Sequence, residues 1–156
     1  MFIDRCFQLA YKIAYRLIRI YWFIRRPAQH GALVAIWHHD RILLVKPSYM
    51  PVYSLPGGGV KKGEKPIDAA VRELAEEVNL HLPPSALKQA FKHTCKHTGR
   101  TDTVVIFEIH PAEPPQISVD NREIIRAEFV TVDNALCRNL LPHVEKYLQN
   151  KTKPRY

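Results

Sequence analysis

Four glutamates, Glu64, Glu73, Glu76 and Glu77, fall inside the run GGGVKKGEKPIDAAVRELAEEVNL at residues 57–80 of a chain whose formal net charge is +8. From about Pro66 to Val78 the apolar residues Ile67, Ala70, Val71, Leu74 and Val78 recur at spacings of three and four, which predicts a helix with one buried stripe. Glu73, Glu76 and Glu77 then stand at i, i+3 and i+4 on a neighbouring side. A solvated helix face normally sets lysines one turn from such acids. Here Arg72 is the one fixed cation within a turn of the three, with His81 the other group able to carry charge. Each like-charge pair opposes an isolated helix by roughly 0.2–0.5 kcal/mol, and a divalent cation held between the carboxylates reverses that sign. Oxygen-only donors suit Mg²⁺, with Mn²⁺ as its substitute, and not zinc, which prefers His and Cys. Gly57, Gly58 and Gly59, just before the helix, let the backbone come close to a ligand.

The elements that must position these acids can be read in outline. GALVAIW and RILLVKP are apolar runs separated by His38-His39-Asp40, a predicted β-hairpin. PSYMPVYSLPGGG is loop-rich with room for a short strand, and the helix from Pro66 follows. QAFKHTCKH and RTDTVVIFEIH form a second predicted hairpin turning at Thr98-Gly99. PAEPPQ is a loop, EIIRAEFVTV a further strand and PHVEKYLQN a closing helix. Strands, helix, strands, helix implies an α+β architecture, a mixed sheet sandwiched between helices.

The spacing is specific: Gly58, five residues, Glu64, seven residues, then Arg72-Glu73-Leu74-Ala75-Glu76-Glu77-Val78. This resembles the signature box of the Nudix hydrolases, and SLPGG resembles its lead-in. The resemblance covers roughly residues 31–150. It implies an enzyme that hydrolyses the pyrophosphate of a nucleoside diphosphate linked to another moiety, with a small-molecule substrate and a Mg²⁺ cofactor. Carried over residue by residue, it implies that Glu73, Glu76 and Glu77 hold the metal, with Glu64 and the Gly58 backbone as further ligands, and that Arg72 orients the carboxylates. It implies a general base from outside the box. Glu123 is the favoured base, with Glu113 and Asp120 as alternatives. Asn79 stands where the family has glycine; Asn tolerates the left-handed conformation that ends a helix, so the chemistry should survive. The segment Thr94–His97 carries none of the markers that distinguish ADP-ribose, dinucleoside polyphosphate or NADH subfamilies, and the substrate stays open.

Two rival readings belong to the same fold. A nucleotide-binding module that does not cleave would have no need of the acids, all of which are present. An isoprenyl diphosphate isomerase would want a pocket cysteine, for which Cys95 is the candidate. His93, Cys95 and His97 alternate and share one face of a strand, but three donors on one extended strand rarely converge on one ion. The run therefore reads as strand packing, or as a substrate contact, ahead of zinc.

Charge is unevenly placed. Residues 27–150 carry 14 basic and 14 acidic residues, so the whole excess lies in residues 1–26 and in the basic tail 151–156. A basic stripe through the body, the mark of a nucleic-acid binder, is missing, which argues against sequence-specific nucleic-acid recognition. Cys6, Cys95 and Cys137 are odd in number and far apart, so no disulfide framework is implied and a cytoplasmic, reducing setting is expected. Residues 2–24 predict one amphipathic helix. Arg5, Gln8, Lys12, Arg16, Arg19 and Arg26 fall within a sector of about 80°. Lys12, Arg16 and Arg19 disfavour a membrane span, the lack of a small-residue cleavage site disfavours a signal peptide, and the lack of serine disfavours a transit peptide. Two readings remain for residues 1–26: peripheral contact with the inner membrane face, or burial against the body or a second subunit in a homodimer.

Overall fold

The computed structural model describes residues 2–25, 28–97 and 100–152. The elements run α1 (Phe2–Arg25), β1 (Ala28–His38), β2 (Arg41–Pro47), β3 (Gly57–Gly59), α2 (Pro66–Val78), a 3-10 turn (Pro84–Ala86), β4 (Lys88–His97), β5 (Arg100–Ile109), β6 (Ile124–Thr131), α3 (Val132–Leu136) and α4 (Pro142–Thr152). The sheet has the order β4-β5-β1-β2-β6, with β3 also paired to β1. β1 and β5 are parallel and the remaining pairs antiparallel, giving the mixed sheet expected.

The apolar runs in β1 and β2 do not alternate with polar residues because both faces of the sheet are covered. Ala32, Val34 and Ile36 face α2, where they meet Ala69, Ala70, Leu74 and Val78. Their neighbours Leu33, Ala35 and Trp37 face the other way, onto Ala135, Val144, Tyr147 and Leu148 of α3 and α4. Pro66 at the first helical position starts α2, and Asn79 ends it at φ 55°, ψ 36°, the left-handed conformation expected of it. The amides of Asn79 and Leu80 both return to the Leu74 carbonyl.

Three features differ from the sequence reading. β1 begins at Ala28 instead of Gly31, because its first residues find partners in Thr101 to Thr103 of the parallel strand β5. α3, five residues long, is too short for a periodic signal; Thr131 caps it by accepting from the Asn134 amide. The turn Thr98-Gly99, Pro27 and most of the basic tail lie outside the described residues, although β4 and β5 do pair as a hairpin.

β1 meets β2 only at Trp37 and His38. Before that point the two strands diverge. β3 takes the edge of β1 at Gly31 to Leu33, while Ser54 bridges to Val45 of β2. A cleft opens where the strands separate.

Under the α4 side, Trp37 Nε1 donates to the Tyr147 hydroxyl at 2.9 Å, and that hydroxyl donates to Glu108 Oε1 at 2.5 Å. Burial pulls the Glu108 carboxyl upward, but Lys151, 2.5 Å away, and Tyr147 outweigh it, leaving its pKa below the usual glutamate value of 4.5. A carboxyl depressed by folding stabilises above its unfolded pKa, and the contribution is lost as pH falls through the folded value. Glu108→Gln should therefore be less stable than wild type at pH 7, and the gap should narrow as pH falls from 4.5 through the lower folded value. Urea unfolding as a function of pH measures this; a gap independent of pH would show that the loss is one of packing alone.

Candidate active site

The cleft gathers residues from α1, β1, β2 and the loop after it, β3, α2, β5, α4 and Glu123 just before β6 around a cavity of about 410 Å³. β3 and α2 supply its acidic end. Gly57, at φ +133°, turns its N–H to Glu77 Oε2 at 2.7 Å. At Gly58 a Cβ would stand 2.6 Å from Glu73 Oε1, so the missing side chain is what lets this carboxylate lie against the strand.

Arg72 organises the outer side. Its Nε and Nη2 donate to Glu64 Oε1 and Oε2 at 3.0 and 3.1 Å, its Nη1 to Glu73 Oε1 at 2.6 Å and Glu76 Oε2 at 3.3 Å, and its Nη2 to the Gly59 carbonyl at 3.1 Å. One planar guanidinium thus ties loop, strand and helix together. Glu64 also accepts from the Lys61 amide at 2.8 Å; Arg72 first and this amide second hold its carboxyl at about 2. Glu64 is an ionised strut for Arg72.

Exposure separates the three helix acids. Glu76 is 58% exposed and Glu77 is 7% exposed, with Glu73 half-buried between them. Burial pushes the Glu77 carboxyl well above its ordinary value; the Gly57 amide pulls it back, and Glu73, Glu123 and Glu76 raise it further. Glu73 is raised chiefly by burial, against the pull of Arg72. Glu123, immediately before β6, lines the cavity together with Glu77 and is raised by burial and then by Glu73.

Of the three acids considered as an outside base, only Glu123 lines the cavity. Asp120 points back into its own turn, where Oδ1 accepts from the amides of Arg122, Glu123 and Ile124 at 3.0, 3.1 and 3.4 Å. Glu113 is exposed on the loop after β5.

Sequence reasoning missed the aromatic wall. Tyr49, after β2, donates to Glu123 Oε1 at 3.4 Å, and burial first, then Glu123 and Glu77, push its hydroxyl upward so that it stays a neutral donor. Tyr11 and Tyr15 of α1 pack on the Tyr49 ring at centroid distances of 6.1 and 5.2 Å. The helix is fastened by Gln8 Nε2 donating to the Asn121 carbonyl at 2.8 Å, and by Asp4 pairing with Arg122 at 3.3 Å. The i, i+4 spacing of Tyr11 and Tyr15 was the available signal, but nothing local to it indicates Tyr49 as the partner.

Buried and half-buried carboxyls from α2 and from the residue before β6 thus meet an aromatic wall around one cleft. The NUDIX domain family matches residues 27–151, and the chain belongs to that family. It is 29% identical over 118 residues to an ADP-ribose pyrophosphatase of Bacillus subtilis, covering 73% of this chain and 61% of that protein. It is 37% identical over 65 residues to an RNA pyrophosphohydrolase of Brucella anthropi, covering 32% of this chain and 36% of that one. The aligned parts thus span less than two thirds of these relatives. Among solved structures, a MutT NUDIX hydrolase from Burkholderia pseudomallei superposes with a TM-score of 0.71 at 22% identity, over 81% of this chain and 99% of that one. That likeness establishes the fold.

Proposed function

We propose that the chain is a divalent-cation-dependent pyrophosphohydrolase acting on a nucleoside diphosphate linked to another moiety. The observation that carries this reading is the placement of Glu77 and Glu123 at one end of a cavity of nucleotide size, with the Glu73 carboxylate against the Gly58 backbone that lines it, three carboxyls each raised chiefly by burial and then by neighbouring acids. An anionic substrate enters such a place only with cations between it and the acids. The donors are all oxygen, which fits Mg²⁺ or Mn²⁺. Glu77 and Glu73 would hold the cation, with Glu76 and the Gly58 backbone beside them. When bound, the cation supplies charge neutralisation at the pyrophosphate and polarises water. Arg72 fixes Glu73 and, through Glu64, the loop that carries β3. Glu123, its carboxyl raised by burial and oriented by the Tyr49 hydroxyl, would take the proton of the attacking water. Tyr15 and Tyr49 offer a face on which a base can stack.

The test is a panel of nucleoside diphosphate derivatives with Mg²⁺, read as phosphate released after coupling to a phosphatase. Tight binding of a compound without turnover would favour a binding module instead. The isomerase reading is weakened because Cys95 does not line the cavity and burial raises its thiol pKa.

The outer surface of α1 supports a location. Ile3, Leu9, Ile13, Leu17 and Ile20 are each more than half exposed along one side, and Arg5, Lys12, Arg16 and Arg19 are exposed beside them. Among the described residues no helix is long and apolar enough to cross a membrane. This face suits an anionic bilayer surface, apolar residues entering and cations meeting headgroups at about 1 kcal/mol each. The full chain should co-sediment with anionic vesicles at low salt and be released by high salt, and Ile13→Asp with Leu17→Asp should abolish binding. Dimerisation that these substitutions dissolve, with no vesicle binding, would instead assign the face to a second copy. Deleting residues 1–26 is not an equivalent test, because Tyr11 and Tyr15 wall the cavity.

A further inference from the structure

Beside the other end of the cleft, reaching its wall only through His143, lies a cluster that the hydrolytic reading does not use. β4 and β5 are registered so that His93 pairs with Val104 and Cys95 with Asp102, which puts all four side chains on the face toward α4. From the first turn of α4, His143 enters this group, 4% exposed. Cys95 Sγ lies 3.5 Å from His143 Nε2, and His93 Nδ1 lies 3.1 Å from His143 Nδ1. One ligand atom from each of the three residues falls within 4.8 Å of the others. The objection that three donors on one strand rarely converge does not apply, because the third comes from a helix 48 residues beyond Cys95.

We propose that His93, Cys95 and His143 form a second metal site, selective for Zn²⁺ or a similar borderline transition ion. One soft sulfur and two borderline imidazole nitrogens are donors that Mg²⁺ passes over, just as the oxygen cluster at Glu77 and Glu73 disfavours zinc. Three protein donors are the number found where a tetrahedral zinc keeps one position open. The two nitrogens of His143 now face different partners, so binding requires one imidazole to turn about its broad terminal torsion. A thiol left protonated by burial beside Asp102 is no nucleophile, but an ion that binds it as thiolate releases the proton. The bound ion would clamp α4 to the β4–β5 edge and, through His143, form part of the cavity wall.

The full chain, stripped with a chelator and returned to saturating Mg²⁺, is titrated with Co²⁺, whose bond to a thiolate gives a charge-transfer band in the near ultraviolet. One equivalent should produce the band, and Zn²⁺ should displace it. Cys95→Ser, which differs by one atom, should abolish the band, and His93→Gln should weaken Co²⁺ binding by at least about tenfold. Glu77→Gln and the pair Cys6→Ser with Cys137→Ser should retain it. Zn²⁺ should raise the thermal midpoint of the wild type and leave that of Cys95→Ser unchanged. No band at one equivalent, a band that survives Cys95→Ser, or one lost with the exposed cysteines would each overturn the proposal.

Discussion

Glu77→Gln is expected to reduce turnover by about a thousandfold while leaving the fold as stable as before or more so. Glutamine has the same shape, and its amide oxygen can accept the Gly57 N–H that now ends on Glu77 Oε2. What disappears is a charge, buried to 7% exposure and repelled by Glu73 and Glu123. Removing an unfavourable buried charge without leaving a cavity does not destabilise. Catalysis moves the other way, because a cation held by one carboxylate fewer neutralises the pyrophosphate less well, and about 4 kcal/mol of lost transition-state stabilisation is a factor of a thousand. Steady-state rates with Mg²⁺ and thermal unfolding in chelator are the two measurements. Near-normal turnover on every substrate the wild type cleaves would remove Glu77 from the cation site. Glu76→Gln gives a graded comparison: this residue is 58% exposed and reaches Arg72 at 3.3 Å, so its loss should cost less.

The acids of α2 were legible because everything that places them is local. A helix period, a proline at its start, an asparagine at its end and glycines just before it lie within 24 consecutive residues, and the structure adds only the partner strand. The covered sheet was legible from the order of elements, since strands, helix, strands, helix already calls for a mixed sheet with helices packed on it. The rest of the cleft depends on meetings between distant segments. Tyr49 and Glu123 are 74 residues apart, and Tyr11 reaches Tyr49 only because α1 is fastened at Asn121 and Arg122. No periodicity records such a meeting. His143 was read as part of a closing helix for the same reason: its importance comes from β4, to which nothing in PHVEKYLQN points. Local pattern identifies the acids, and tertiary packing decides what stands opposite them.

Gly57 and Gly58 should fail in opposite ways when each is replaced by alanine, although they are neighbours in one glycine run. At Gly57 the backbone sits at φ +133°, a region closed to L side chains, and an added Cβ would lie 2.2 Å from the Ala32 carbonyl oxygen and 2.7 Å from Leu33 Cα. Both obstacles are backbone atoms of the central strand, so no rotamer relieves them. Strain and overpacking together should cost at least about 3 kcal/mol, a large part of the stability of a domain this size. β3 would have to leave β1, taking with it the amide that holds Glu77, and activity would fall along with stability. At Gly58 the obstacle is the carboxylate of Glu73, 2.6 Å from the added Cβ, at the end of a side chain that can swing aside. Gly58→Ala should therefore fold with nearly wild-type stability and lose activity, because Glu73 is displaced from the position that Arg72 and the strand define. Urea unfolding and steady-state rates on the two variants separate the outcomes. Equal loss of stability in both would mean that Glu73 cannot yield and that its packing against β3 is part of the fold; full activity in Gly58→Ala would mean that the cation does not need Glu73 where it now stands.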